Sequence, residues 1–157
     1  MKGLDKKFMK LAIKEALKAI DMNDQPFGAV ITKDNSIITK AYCTTRKEFD
    51  LTKHAEMNAI RKACKKLNTF NLSDCTIYST AEPCLMCFGA IKWVKISKLV
   101  FGVYNKDTKS LGFSEPCLNK EDFKKYGKNI IIKKGILKKE IMKIFEQWQK
   151  LKDRLVY

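Results

Sequence analysis

A chain of 157 residues, 45% of them hydrophobic, is long enough for one packed core and too apolar for wholesale disorder, so a single domain over 1–157 is expected. No apolar run approaches the roughly 20 residues that span a bilayer, and no apolar segment follows the basic Met1–Lys7 start, which points to a cytoplasmic protein. The formal charge of +15 admits a nucleic-acid partner, but only Arg46, Arg61 and Arg154 among 32 basic residues are arginines, and the scattered lysines read more simply as solvated surface.

In chain order, Phe8, Met9, Leu11, Ile13, Ala16, Leu17 and Ile20 recur at helical spacing and predict a first amphipathic helix over 4–20. Asn23-Asp24-Gln25-Pro26 ends it. Gly28–Thr32 and Ile37–Ala41 are β-branched runs around Asp34-Asn35, a hairpin signal. A polar loop leads to Thr52, a candidate N-cap for a helix from Lys53 to about Leu67 that buries Met57, Ile60, Ala63 and Cys64. Cys75–Ser79 reads as a buried strand, and Pro83 suits the first turn of a helix carrying Cys84 through Trp93. Leu99–Val103 and Asn129–Ile132 are two further strands, and Ile141, Ile144, Phe145, Trp148 and Leu151 form the inner face of a last helix over 138–153. Strands alternating with helices imply a three-layer α/β/α sandwich with a mixed five-stranded sheet. Sites in such sheets lie at the carboxyl ends of strands, where the next helices begin.

The chemically distinctive residues fall at two of those helix starts. His54-Ala55-Glu56 opens one, and Pro83-Cys84-Leu85-Met86-Cys87 opens the other. His54, the single histidine, with Cys84 and Cys87 supplies three donors of the kind zinc accepts, leaving a fourth position for water. Helix dipoles at both starts favour thiolates over thiols. Glu56, two residues from His54, lies on another azimuth, about 200° away. It suits a general acid–base beside the metal rather than a ligand. A Cys-x-x-Cys pair alone is also compatible with redox chemistry or a structural zinc. The latter needs a fourth ligand from Cys43, Cys64, Cys75 or Cys117 and has no use for Glu56.

Taken together, Thr52-Lys53-His54-Ala55-Glu56-Met57-Asn58-Ala59-Ile60 and Glu82-Pro83-Cys84-Leu85-Met86-Cys87 resemble the cytidine deaminase-like superfamily, in the branch holding guanine, cytosine and tRNA adenosine deaminases. The resemblance covers essentially the whole chain and implies a cytidine deaminase-like fold. It also implies one Zn2+ on His54, Cys84 and Cys87, with Glu56 as the catalytic proton carrier. Pro26-Phe27-Gly28-Ala29-Val30, Gly89-Ala90-Ile91-Lys92-Trp93 and the ending with Phe145, Trp148 and Tyr157 are similar to bacterial guanine deaminases. In those enzymes the C-terminal segment crosses within a swapped homodimer and its tyrosine reaches the base, while a carboxylate after Gly-Phe contacts the substrate. Tyr157 and Glu115 hold those places here, Phe27 stands in the first-strand motif, and the backbone N–H of Ala55 is placed to hold a base acceptor.

The family's usual base-contacting asparagine is replaced by Cys43, and a thiol lacks an amide's paired donor and acceptor. Phe101-Gly102 and Gly135-Ile136-Leu137 resemble tRNA adenosine deaminases instead. Phe27, Phe145 and Trp148 also read as plain core, Glu115 as a solvated loop carboxylate and Tyr157 as a frayed end. The expectation is a zinc-dependent hydrolytic deaminase of a nucleobase or nucleoside, guanine favoured, with tRNA adenosine deamination next and a non-catalytic zinc-binding module as a third reading.

Overall fold

The computed structural model describes residues 2–154 and 156. Helix α1 (Lys2–Asp21) leads into a hairpin of β1 (Gly28–Lys33) and β2 (Ser36–Tyr42), followed by a short α2 (Thr45–Glu48) and α3 (Ala55–Leu67). Then come β3 (Cys75–Ala81), α4 (Leu85–Trp93), β4 (Lys98–Val103), the short helices α5 (Asn105–Lys109) and α6 (Lys120–Tyr126), β5 (Ile131–Lys133) and α7 (Lys138–Gln149). The sheet runs β2-β1-β3-β4-β5: β1 is antiparallel to both neighbours, while β3, β4 and β5 are parallel. The expected mixed five-stranded sheet is thus present, with helices on both faces.

The hairpin closes through Asp34 and Asn35, both at positive φ (48° and 60°), the backbone that a two-residue turn needs to follow strand twist. Strand alternation then divides the core. Ala29 and Ile31 face α3 and α4 with Ala59, Ala63, Phe88 and Ile91. Val30 faces the other way, towards Phe8, Met9, Phe145 and Trp148 of α1 and α7. Gly28 is fixed by close approach: a Cβ there would lie 2.1 Å from the Ala12 carbonyl oxygen of α1. Gly102 is constrained likewise: a Cβ there would lie 2.8 Å from the Thr80 carbonyl oxygen, and 2.0 Å from Ile141 Cδ1 where α7 crosses β4. Helix α7 packs on β4 and α1 of its own chain.

Several expectations need correction. Thr52 does not cap α3: its N–H and hydroxyl both donate to Asp50 Oδ1 (2.8 and 2.7 Å), and the helix begins at Ala55 with His54 at the N-cap. Its buried face is Ala59, Ile60 and Ala63, small enough for α3 to lie close on β1 and β2, while Met57 and Cys64 are half-buried. Pro83 precedes the N-cap Cys84 rather than lying in the first turn. The last helix stops at Gln149, with Leu151 half-buried beyond it. Strand β5 starts at Ile131, because Asn129 takes a left-handed φ of 70°. Helices α2, α5 and α6 have no counterpart in the periodicity.

One buried ion cluster ties α1 to the sheet. Asp5, 2% exposed, accepts from Lys98 Nζ (2.8 Å) on β4, Lys133 Nζ (2.5 Å) on β5 and the Tyr78 hydroxyl (3.1 Å) on β3.

Candidate active site

The carboxyl ends of the parallel strands β3 and β4 meet the starts of α3 and α4, and the chemically distinctive residues meet there. His54 and Cys84 are the N-caps of α3 and α4, and Cys87 lies in the first turn of α4. His54 Nδ1 is 3.6 Å from Cys84 Sγ and 3.5 Å from Cys87 Sγ, and the three ligand atoms lie within 4.8 Å of one another. With Zn–S near 2.3 Å and Zn–N near 2.0 Å, tetrahedral coordination sets N···S edges of roughly 3.5 Å, so the donor set fits zinc without rearrangement. Among the described residues this is the one such cluster, and it offers three ligands.

The electrostatics point the same way. The bond from Cys87, then His54, pulls the Cys84 thiol down to about 4 despite burial. Cys87, which gives that bond and is buried, is pushed well up. Burial opposes a charged His54, but Cys84 and Glu56 outweigh it and hold the imidazole up to about 9.

Glu56 is 5% exposed. Burial raises its pKa, partly offset by His54. Its Oε1 accepts from Ser79 Oγ at 2.8 Å, and its Oε2 faces Cys87 Sγ at 3.6 Å. The carboxylate therefore stands beside the cluster, held by β3. Glu115 lies near by, and burial lifts its carboxyl to about 7 although His54 opposes the rise. The loop carrying it is pinned over α4, where the Leu85 N–H donates to the Pro116 carbonyl (2.8 Å).

Two cavities that share His54, Cys84 and Glu115 in their walls adjoin these groups. An outer one of about 490 Å3 is walled mainly by Leu51, His54, Leu85, Met86, Glu115 and Pro116. An inner space of about 20 Å3, the scale of one water molecule, lies among Phe27, His54, Glu56, Asn105, Thr108 and Glu115. Phe27 lines the inner space, and its ring packs on Phe113 and Phe145 (centroids 5.0 and 5.4 Å) as the core reading expects. Ala55 is fully buried as the first helical residue. Cys43 is fully buried outside both cavity walls, with its Sγ 3.8 Å from Gln25 Oε1 and 3.4 Å from Thr45 Oγ1. Tyr157 lies outside the described residues. Ser79, Asn105 and Thr108 went unread in the sequence. Strand β3 is buried almost throughout and shows no alternation to single out Ser79, and α5 is too short to show a period.

Fold and site together define an α/β sandwich with a His-Cys-Cys cluster suited to a metal ion and an adjacent buried carboxylate. Residues 2–103 match the model of the cytidine and deoxycytidylate deaminase zinc-binding region, and the chain belongs to this family of zinc-dependent hydrolytic deaminases. It is 34% identical over 151 residues to a guanine deaminase of Bacillus subtilis, covering 96% of this chain and 97% of that protein. It is 38% identical over 136 residues to a tRNA-specific adenosine deaminase of the same species, covering 87% and 83%. A guanine deaminase structure from Nitrosomonas europaea superposes with a TM-score of 0.86 over 93% of this chain and 85% of that one; at 22% identity this likeness speaks for the fold.

Proposed function

We propose that the chain deaminates a purine base or nucleoside, guanine favoured, with His54 Nδ1, Cys84 Sγ and Cys87 Sγ holding the zinc and Glu56 carrying protons. The observation that bears most weight is the buried Glu56 carboxylate set beside the three-ligand cluster with one oxygen fastened by Ser79. Zinc held by these three residues would supply a Lewis acid that makes water a nucleophile near neutral pH. Ser79 engages Oε1, so Oε2, which faces the cluster at Cys87 Sγ, is the oxygen that would accept the water proton and return it to the ring nitrogen and the departing amine. The water oxygen bonds to the amino-bearing carbon, the C–N bond breaks and ammonia leaves.

The remaining groups orient the base. The Ala55 N–H, at the first helical position, has no partner within its helix and suits a carbonyl or ring acceptor. Glu115 faces the same space and suits a ring N–H, with Phe27 as the wall. Cys43, away from the cavity walls, acts by shaping the loop at the entrance to α2. The preference for a purine base rests on similarity to a guanine deaminase over nearly the full length of both chains. A second reading, adenosine in tRNA, draws on the 38% identity to a tRNA deaminase and on the lysine excess. The three-ligand cluster and the neighbouring carboxylate argue against a purely structural zinc module.

The apolar outer cavity, with Leu51 and Leu85 61% and 51% exposed, suits coverage by a second copy, so we read the active form as a cytosolic homodimer. Exchange of the tail is not needed to fill the core, since α7 packs on its own chain. No described helix is long and apolar enough to cross a membrane. The experiment that tests the function is ammonia release from guanine, guanosine, cytosine, adenine and a tRNA anticodon stem-loop. Deleting the last few residues is expected to cut activity on the preferred base sharply.

A further inference from the structure

A second cavity of about 660 Å3 opens between α5, α6 and β5, on the far side of Glu82 from the catalytic pocket. Its floor carries the rings of Tyr104 and Phe123, and its rim carries Lys106, Lys120, Lys124 and Lys134. We propose that this groove binds a nucleoside phosphate unit, with the base against Tyr104 and Phe123 and the phosphate among the four lysines.

Charge, shape and position support this. None of the four lysines takes part in an ion pair among the described residues, and all four are exposed. The one carboxylate in the wall, Glu82, is engaged by the Asn105 N–H at 2.9 Å. With four lysines against one carboxylate in its wall the groove carries an excess of positive charge, whereas Lys138 near by is tied to Asp107. Both rings are held from behind: Phe123 packs on Phe88 (5.0 Å) and Tyr104 edge-on to Phe101 (5.6 Å). Lysine ammonium groups lie over both rings, Lys134 Nζ 5.1 Å from the Phe123 centroid and Lys106 and Lys138 Nζ 5.9 and 5.0 Å from that of Tyr104, so a base stacks here by taking the place of a lysine head that turns to the phosphate. Anchored aromatic platforms flanked by cations form the pattern that takes up bases and phosphates without sequence preference. Glu82 lines both this groove and the inner catalytic space, so a ligand held here stands one side chain from the reacting site.

Two sources share this chemistry, a free nucleotide and single-stranded nucleic acid, and the test separates them. Zinc-loaded full-length protein is titrated with guanosine monophosphate by calorimetry and with a labelled single-stranded RNA of about ten nucleotides by anisotropy. The comparison is Lys120→Ala/Lys124→Ala/Lys134→Ala, whose sites are exposed, with melting temperature and kcat/KM on a free base as controls expected to stay unchanged. Wild type is expected to bind one of the two probes, and the triple variant to bind it at least about tenfold more weakly. For RNA, the slope of log affinity against log salt should also shrink by about 2, since each lost phosphate contact removes roughly 0.7. Capture of the nucleotide alone assigns the groove to free nucleotides, and capture of RNA alone assigns it to nucleic acid. Lys124→Glu as a single change is expected to act in the same direction. Failure of wild type to bind either probe, or equal binding by the variants, overturns the proposal, and neither result depends on whether guanine is deaminated.

Discussion

Ser79 Oγ donates to Glu56 Oε1 at 2.8 Å, joining the middle of β3 to the first turn of α3 across 23 residues of sequence. The bond fixes the rotamer of the buried carboxylate and turns Oε2 towards Cys87 Sγ. Ser79→Ala should therefore keep its zinc yet lose about ten- to a hundredfold in kcat. That is the scale of one hydrogen bond to a charged group, about 1.5–3 kcal/mol. KM should change far less, and the acid limb of the kcat–pH profile should move. A uniform loss of folded protein, with kcat per folded molecule unchanged, would make Ser79 structural.

Glu56→Ala should retain metal and lose at least about a hundredfold in turnover, the usual scale for a general acid–base group. Zinc content and steady-state rate measured on the same preparation check this. Wild-type turnover removes Glu56 from the mechanism, and loss of zinc makes it part of the metal site.

Cys84→Ala together with Cys87→Ala should abolish zinc retention, because it leaves His54 as the one remaining donor of the described cluster. Metal analysis after dialysis without chelator is the readout. About one zinc per chain in the double variant contradicts the ligand assignment.

The site was legible in the sequence to the extent that its chemistry demands rare residues. A single histidine and a Cys-x-x-Cys pair, each placed where a strand gives way to a helix, carry their spacing on the page. Ser79 was not legible, because one hydroxyl in a strand buried on both faces carries no periodic mark. Thr52 was misread because Asp50, two residues earlier, captured its hydroxyl in a local turn before the helix could use it. On α3, Ile60 and Ala63 are buried as expected, but Ala55 and Ala59 replace Met57 and Cys64, because close helix–sheet packing selects for small size, which a hydrophobic pattern does not register. The Lys98–Asp5–Lys133 cluster joins residues 93 and 128 positions apart, beyond any local reading.

That cluster makes stability depend on pH. Burial of Asp5 acts to raise its pKa, but the bonds from Lys133, Lys98 and Tyr78 outweigh it and hold the carboxyl below its ordinary value. The folded pKa thus lies below the unfolded one, near 3.9, so the stabilisation is complete above that pH and fades as pH falls through the folded value. Asp5→Asn should cost about 2 kcal/mol at pH 7. This is less than the 3–5 of a fully buried pair because both lysines are partly exposed. The gap to wild type should narrow below about pH 4 in urea titrations. A gap that persists unchanged at pH 3 assigns the loss to packing.

Light scattering at micromolar concentration should give about 36 kDa, twice the 18.1 kDa chain. A value near 18 kDa counts against coverage of the outer cavity by a second copy.

The central claim is hydrolysis of a small purine base in a pocket where phosphates play no part, and kcat/KM on guanine and on tRNA at about 50 and 200 mM salt tests it most directly. Ammonia should appear from guanine at rates that change little with salt, because no counterions are released when an uncharged base binds. Absence of activity on every free base and nucleoside, with inosine forming in tRNA at a rate that collapses between the two salts, contradicts the account.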